Sequence, residues 1–222
     1  MPAAARTRSR LWRAGLLLAS AVVAPAAREV SFATSDGGTV FADLYGEGGG
    51  DAVVLAHGAA FDKASWAALA GELAARGHQV LALDFRGYGK SSAGGGRDAL
   101  FEDVLAAVRY LRRAGARHVA VLGASMGGGA AGQAAARADP GEIDRLILLS
   151  PAPIADPAHM QGDKLFVASE QEPGADRMKE LYRRAPEPKR FVLLPGTSHA
   201  QHIFETEQGK RLTTTLLEFL ER

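Results

Sequence analysis

Short runs of aliphatic and β-branched residues alternate with longer segments of helical periodicity from Arg28 to the end of the chain. The first two runs, Glu29–Thr34 and Thr39–Tyr45, flank Asp36-Gly37-Gly38, a sequence typical of a β-hairpin turn. Six later runs predict further strands: Ala52–Ala56, Val80–Leu83, Val119–Leu122, Leu146–Leu149, Leu165–Ala168 and Phe191–Leu194. The third run is apolar throughout, as expected of a strand that is covered on both faces.

Between these runs, apolar residues recur at three- and four-residue spacing, which predicts amphipathic helices. The first helix carries Trp66, Leu69 and Leu73 on one face, with Ser65 as its predicted N-cap and Gly77 as its end. Later helices are predicted at Phe101 to about Gly115, at Met126 to about Ala138, between the last two strands, and at Leu212–Leu220. This alternation predicts an α/β fold with a mostly parallel, eight-stranded sheet, helices on both faces and an antiparallel N-terminal hairpin.

Composition narrows the class of protein. The chain has 222 residues, which suits one domain, and 47% hydrophobic and 23% charged residues, which exclude a disordered chain. A net charge of +1 predicts no nucleic-acid surface, since such surfaces are strongly basic. The absence of cysteine excludes disulfides, cysteine-ligated zinc, iron–sulfur clusters and thiol nucleophiles. We expect no metal and no cofactor.

The amino terminus has the three parts of a secretory leader. Four arginines without any acid precede an apolar run at residues 14–24, and Ala24-Pro25-Ala26 supplies small residues for signal peptidase. The run is too short to span a bilayer, which takes about 20 residues. We therefore expect residues 1–26 to be a cleaved signal peptide and 27–222 to be a single domain. The mature protein would be secreted or periplasmic, with a net charge of −3 and no stable membrane insertion.

One sequence between a predicted strand and a predicted helix points to chemistry. In Gly123-Ala124-Ser125-Met126-Gly127, the serine falls on a sharp turn at the start of a helix. Such a turn strains the backbone of the serine and requires small neighbours, which the two glycines supply. The helix start also offers backbone N–H groups to a developing negative charge.

With this motif, the sequence resembles the α/β-hydrolase superfamily over about residues 28–222. Three more segments match in order: His57-Gly58 after the third strand, Asp84–Ser91 after the fourth, and Pro195–His199 after the last. The resemblance is to the capless serine hydrolases, such as esterases and lysophospholipases. Only Pro151–Asp163 lies between the sixth and seventh strands, where larger members insert a cap, so we expect no cap domain and an open, shallow site.

The resemblance implies a nucleophile, a base and an acid in that family's order. Ser125 would be the nucleophile and His199 the general base, since His202 falls in the next helical segment. The acid is expected just after the seventh strand, where Glu172 stands in place of the usual aspartate, with Glu170 and Asp156 as alternatives.

The resemblance also assigns the oxyanion hole and a supporting role to His57, while Asp84–Ser91 is interpreted as a structural turn. The backbone N–H groups of Met126 and Ala59 would hold the oxyanion. His57 would support its loop rather than react, and Arg86 would form a salt bridge. We expect Ala59, Ala60, Phe61 and the Ala152–Met160 loop to line an apolar site without a fixed charge.

These assignments predict hydrolysis of a small-molecule carboxylic ester through an acyl-enzyme. Two other functions remain open. A thioesterase, peptidase or acyltransferase would use the same side chains, and a non-catalytic binding protein could share the fold. The unusual acid keeps the second alternative open.

Overall fold

The computed structural model describes residues 26–48, 50–96 and 98–222. They form an eight-stranded sheet in the order β1-β2-β4-β3-β5-β6-β7-β8. The strands are β1 Arg28–Ala33, β2 Thr39–Tyr45, β3 Asp51–Ala56, β4 Gln79–Leu83, β5 His118–Ala124, β6 Arg145–Leu149, β7 Asp163–Ser169 and β8 Lys189–Leu194. The predicted leader lies almost wholly outside the described residues and stays a prediction.

Strand directions agree with the predicted sheet. β1 pairs antiparallel with β2, and β2 pairs antiparallel with β4. All the other neighbouring pairs, from β3–β4 to β7–β8, are parallel. The mostly parallel α/β fold with an antiparallel N-terminal hairpin is therefore confirmed. Parallel strands end at one edge of the sheet, so the loops that follow β3, β5, β7 and β8 meet there.

Helices cover both faces of the sheet. They are α1 Ala67–Ala75, α2 Leu100–Arg113, α3 Met126–Ala135, α4 Ala175–Arg184 and α5 Gly209–Leu220. Val119 and Val121 of β5 share one core with α2, α3 and α4, whereas Ala120 and Leu122 share the other core with α1 and α5. Alternate side chains of a strand point to opposite faces, so a strand between two helical layers must be apolar at every position.

The predicted N-cap of the first helix is wrong. A 3₁₀ turn at Lys63–Trp66 precedes α1, and the Asp62 carboxylate caps this turn by accepting from the N–H of Ala64 at 2.9 Å. Because the extra turn moves the start of the helical segment back, Ser65 lies inside it and donates to the Asp62 carbonyl. Gly77 ends the helix as predicted, with φ +92°.

The connection between β6 and β7 contains no helical cap. Between Leu149 and Asp163 the chain forms only a single 3₁₀ turn at Pro157–His159. The expectation of a capless domain is confirmed. Within the described part of the chain, no helix has both the length and the apolar character to cross a membrane.

A buried ion pair joins the loop after β4 to α2 and to the hairpin turn. The Arg86 guanidinium donates to Asp103 at 2.7 Å and to Asp36 at 2.7 Å, and the Arg86 and Asp103 side chains are both 0% exposed. Burial opposes the charge of Arg86, but the hydrogen bonds to these carboxylates raise its pKa above its ordinary value. The hydrogen bond from Arg86 also holds the pKa of Asp36 well below its usual range. The predicted salt bridge of Arg86 is confirmed.

We expect Arg86→Met to lower the free energy of unfolding by about 3–5 kcal/mol, because it leaves the Asp103 carboxylate buried without its partner. Arg109→Met is the matched control. Arg109 pairs with Glu142 at a half-exposed position, and loss of such a pair costs about 0–1 kcal/mol. Urea denaturation of both variants measures the difference. Equal losses in the two variants would contradict this account of Arg86.

Candidate active site

Ser125 lies on a strained turn between β5 and α3. Its backbone has φ +50° and ψ −112°, a conformation that costs a non-glycine residue of order 1–3 kcal/mol. A Cβ atom on Gly123 would lie 2.3 Å from the Gly127 carbonyl oxygen, and one on Gly127 would lie 2.3 Å from the Ala56 carbonyl oxygen. Both positions therefore need glycine. The N–H of Ser125 donates to the Leu149 carbonyl at 2.9 Å, which joins the turn to the end of β6.

His199 lies between Ser125 and Glu172. Its Nε2 is 2.9 Å from the Ser125 Oγ, and its Nδ1 is 2.6 Å from Glu172 Oε2. The Glu172 side chain is 3% exposed, whereas His199 is 40% exposed. A buried carboxylate at this distance accepts the Nδ1 proton, which leaves Nε2 free to accept the proton of the serine hydroxyl.

The alternatives that the sequence left open lie elsewhere. Glu170 is exposed. Asp156 is exposed and pairs with His159 at 2.8 Å. His202 is in the 3₁₀ turn Ala200–Glu205 and contacts the ring of Phe61, with 5.0 Å between ring centroids. The structure thus brings Ser125, His199 and Glu172 together, and the ring nitrogens of His199 bond to neither Glu170, Asp156 nor His202.

Two serines that sequence reasoning missed hold the backbone on either side of His199. Ser169 Oγ donates to the Ser198 carbonyl at 2.6 Å, and Ser150 Oγ accepts from the N–H of Ala200 at 3.2 Å. Ser150 and Ala200 both have positive φ, at 45° and 52°. Each serine comes directly after a predicted apolar run, at the carboxyl edge of the sheet, and this position is the signal that could have identified it.

The two predicted oxyanion donors are free of other bonds. Among the hydrogen bonds of the described residues, neither the Met126 N–H nor the Ala59 N–H has a protein acceptor. The Met126 N–H is at the start of α3, where the helix leaves amides unpaired. Ala59 follows β3 in an exposed loop, and its carbonyl accepts from the Tyr88 hydroxyl at 2.9 Å. Two N–H groups beside a serine can stabilise an oxyanion.

His57 supports the loop that carries Ala59. It is fully buried, and burial lowers its pKa, so the ring is neutral at pH 7. Its Nδ1 lies 2.9 Å from the Gly58 carbonyl, and its Nε2 accepts from the N–H of Phe85 at 3.3 Å. These partners make Nδ1 the protonated nitrogen. The ring has no free nitrogen for catalysis, in agreement with the supporting role that the resemblance implied.

Two grooves lie beside the segments that build the site. An apolar groove of about 400 Å³ lies between the start of α1 and the 3₁₀ turn after His199, and its lining includes Phe61, Trp66, Leu69 and Phe204. A smaller groove of about 220 Å³ separates residues 151–154 from α4.

The expectation of a lining without fixed charge is wrong, because Glu205 is part of the lining of the first groove and charged residues of α4 line the second. Arg177 and Arg184, seven residues apart on α4, line it together with Glu180. The apolar periodicity of α4 could not predict this charged lining. These residues belong to the exposed face of the helix, and only the fold brings that face to the loop after β6.

A cavity of about 570 Å³ lies at the opposite edge of the sheet, where β3, β5 and β6 begin. It is distant from the loops that carry Ser125 and His199. Over the residues that the structure describes, no group of three or more His, Cys, Asp and Glu side chains is arranged to hold a metal ion.

Comparison with known protein sequences agrees with the observed fold. A family model described as "alpha/beta hydrolase fold" matches residues 51–171. A non-heme chloroperoxidase of Streptomyces lividans is 35% identical over 123 residues, which cover 54% of this chain and 44% of that protein. This chain thus matches less than half of the length of the chloroperoxidase. An uncharacterized protein of Mycobacterium tuberculosis is 29% identical over 217 residues, which cover 84% of this chain and 77% of that protein.

Solved structures share the same fold. An esterase of Pyrococcus furiosus superposes with a TM-score of 0.77 at 18% identity and covers 89% of this chain and 93% of its own. A CIB-like hydrolase of Thermoplasma acidophilum superposes with a TM-score of 0.71 at 23% identity and covers 88% of this chain and 98% of its own.

Proposed function

The chain belongs to the alpha/beta-hydrolase family, and we propose that it is a serine hydrolase that cleaves carboxylic esters through an acyl-enzyme. The observation that supports this most is the hydrogen-bonded series from Ser125 Oγ through His199 to the buried Glu172 carboxylate. The series starts at a strained serine, and strain of this kind is typical of functional sites. Two N–H groups without a protein acceptor lie near the serine. That of Met126 follows Ser125 directly in the chain, and that of Ala59 follows Gly58, which lies beside Ser125 in the fold.

The proposed reaction has two halves. Ser125 Oγ attacks the acyl carbon while His199 Nε2 takes its proton, and the carbonyl electrons move to the oxygen held by the Met126 and Ala59 amides. The tetrahedral intermediate collapses, the bond to the leaving oxygen breaks, and His199 gives that oxygen its proton. Water then attacks the acyl-enzyme, His199 takes a water proton, and the acid leaves as Ser125 regains its proton. Glu172 stabilises the imidazolium in both halves.

The grooves favour small esters. The apolar groove shares Phe61 with the loop that carries Ala59, so an acyl chain lying in it would enter from the oxyanion side. At about 400 Å³, it is at the small end of ligand pockets, which run from about 300 to 1,000 Å³. With no cap between β6 and β7, the substrate reaches Ser125 directly from solvent.

The first test is covalent labelling with a fluorophosphonate, whose phosphorus is attacked by an activated serine with loss of fluoride. We expect one label on the peptide that contains Ser125, detected by mass spectrometry, and none on Ser125→Ala. Ser31→Ala, on the exposed edge strand β1, is the matched control and should label like the wild type. A folded wild-type protein that does not label would reject the enzyme and favour a binding protein.

The second test concerns the acid. We expect Glu172→Gln to lower kcat on an activated ester by about 10³–10⁴-fold, because a neutral amide neither fixes the histidine tautomer nor stabilises imidazolium. Glu170→Gln makes the same chemical change two residues away at an exposed position and should leave kcat unchanged. If Glu170→Gln is instead the damaging variant, the acid is misassigned. Parallel assays on thioesters and peptides distinguish an ester hydrolase from a thioesterase or a peptidase that would use the same three side chains.

A further inference from the structure

Gln201 joins the histidine loop to the loop after β3. It follows His199 by two residues and is 5% exposed. Its Oε1 accepts from the N–H of Gly58 at 2.7 Å, and its Nε2 donates to Ser65 Oγ at 2.8 Å. Ser65 in turn donates to the Asp62 carbonyl, so the amide of Gln201 is held at both ends. The side chain therefore has one defined position and spans two segments of the site.

The hydrogen bonds around Gly58 determine where the Ala59 N–H points. The Gly58 carbonyl and the Ala59 N–H belong to one planar, trans peptide group, so they point in opposite directions. That carbonyl is held by His57 Nδ1 at 2.9 Å and by the N–H of Phe61 at 3.0 Å. These two bonds fix one side of the peptide, and Gln201 holds the peptide group before it.

Gly58 also lies at contact distance from both Gln201 and Ser125. A Cβ atom placed on Gly58 would lie 3.4 Å from Gln201 Oε1 and 3.5 Å from Ser125 Cβ. The backbone of Gly58 thus lies between the glutamine and Ser125, with a spacing that matches ordinary van der Waals contact. A shift of this backbone changes the distance between the Ala59 amide and the carbon that Ser125 attacks.

We propose that Gln201 is a positioning residue that fixes the oxyanion-binding amide of Ala59 relative to Ser125. It contacts none of the reacting atoms and acts on them through the Gly58 N–H, although its side chain also lines the apolar groove. The proposal rests on the proposed function, since it assigns Gln201 a part in the same reaction. It also explains why a buried amide occurs next to a catalytic histidine: a buried polar group needs its hydrogen bonds, and these two bonds span the site.

The experiment compares Gln201→Met, which keeps the length of the side chain and removes both hydrogen bonds, with Gln133→Met on α3 as the matched control. We expect kcat of Gln201→Met to fall by about 10–100-fold, since a misplaced donor loses much of the 10²–10³-fold that one oxyanion donor supplies. KM for a short acyl ester, which does not fill the groove that Gln201 lines, should change by less than about threefold, because the ground-state ester does not depend on the Ala59 amide. Gln133 is half-buried and far from the loop, and its variant should match the wild type.

A second readout separates positioning from a purely structural role. A trifluoromethyl ketone forms a hemiketal on the serine, and its oxyanion needs the Ala59 amide as the transition state does. Its affinity should fall by the same factor as kcat/KM in Gln201→Met. Unchanged kcat and unchanged ketone affinity in the folded variant overturn the proposal, and so does a rise in KM alone.

If Gln201→Met does not fold, Ser65→Ala decides the question. This variant keeps Gln201 and removes the partner of its Nε2, so we expect a smaller loss of kcat, about threefold to tenfold, again with KM unchanged. A Ser65→Ala enzyme with wild-type kcat overturns the proposal. Fluorophosphonate labelling of the wild type keeps the two hypotheses apart: an unlabelled wild type rejects the enzyme, whereas a labelled wild type with unaffected variants rejects only the role of Gln201.

Discussion

The backbone conformation of Ser125 is the constraint on which the site depends. A residue at φ +50° and ψ −112° stays there only if its surroundings leave no alternative. The surroundings here are a central strand, β5, with parallel neighbours on both sides, and a helix that approaches it through Gly123 and Gly127. The strain is of order 1–3 kcal/mol, which a central strand buried from its second residue to its last can offset. The fold thus fixes the position of Ser125, the proposed nucleophile, without help from the other loops of the site.

Single hydrogen bonds, together with the core packing of Ala200 and Ile203, then set the other loops. The loop after β8 is held by Ser150 and Ser169, and the loop after β3 is held by His57 and Gln201. Each bond joins a side chain to a backbone group, which fixes a peptide plane and hence the direction of the next N–H or side chain. Loops held in this way need little core of their own. This is how a chain without a cap keeps an ordered site at an open edge of its sheet.

The sequence predicted the parts of this arrangement that leave a local pattern. All eight strands and the hairpin followed from apolar runs, and the turn at Ser125 followed from its two glycines. His199 and Glu172 followed from the family resemblance, which places the base after the last strand and the acid after the seventh. Contacts between distant segments leave no such pattern. Gly58 and Gln201 are 143 residues apart, so nothing near either residue indicates their bond. The same reason explains why the arginines of α4 beside the loop after β6 were missed.

A crystal structure of the protein with a bound trifluoromethyl ketone tests the arrangement most directly. We predict a covalent bond from Ser125 Oγ to the ketone carbon, with the hemiketal oxygen about 2.7–3.1 Å from both the Met126 and the Ala59 nitrogens. His199 should remain within hydrogen-bonding distance of Glu172. A ketone that binds without bonding to Ser125, or an adduct whose oxygen points away from both amides, would contradict the account.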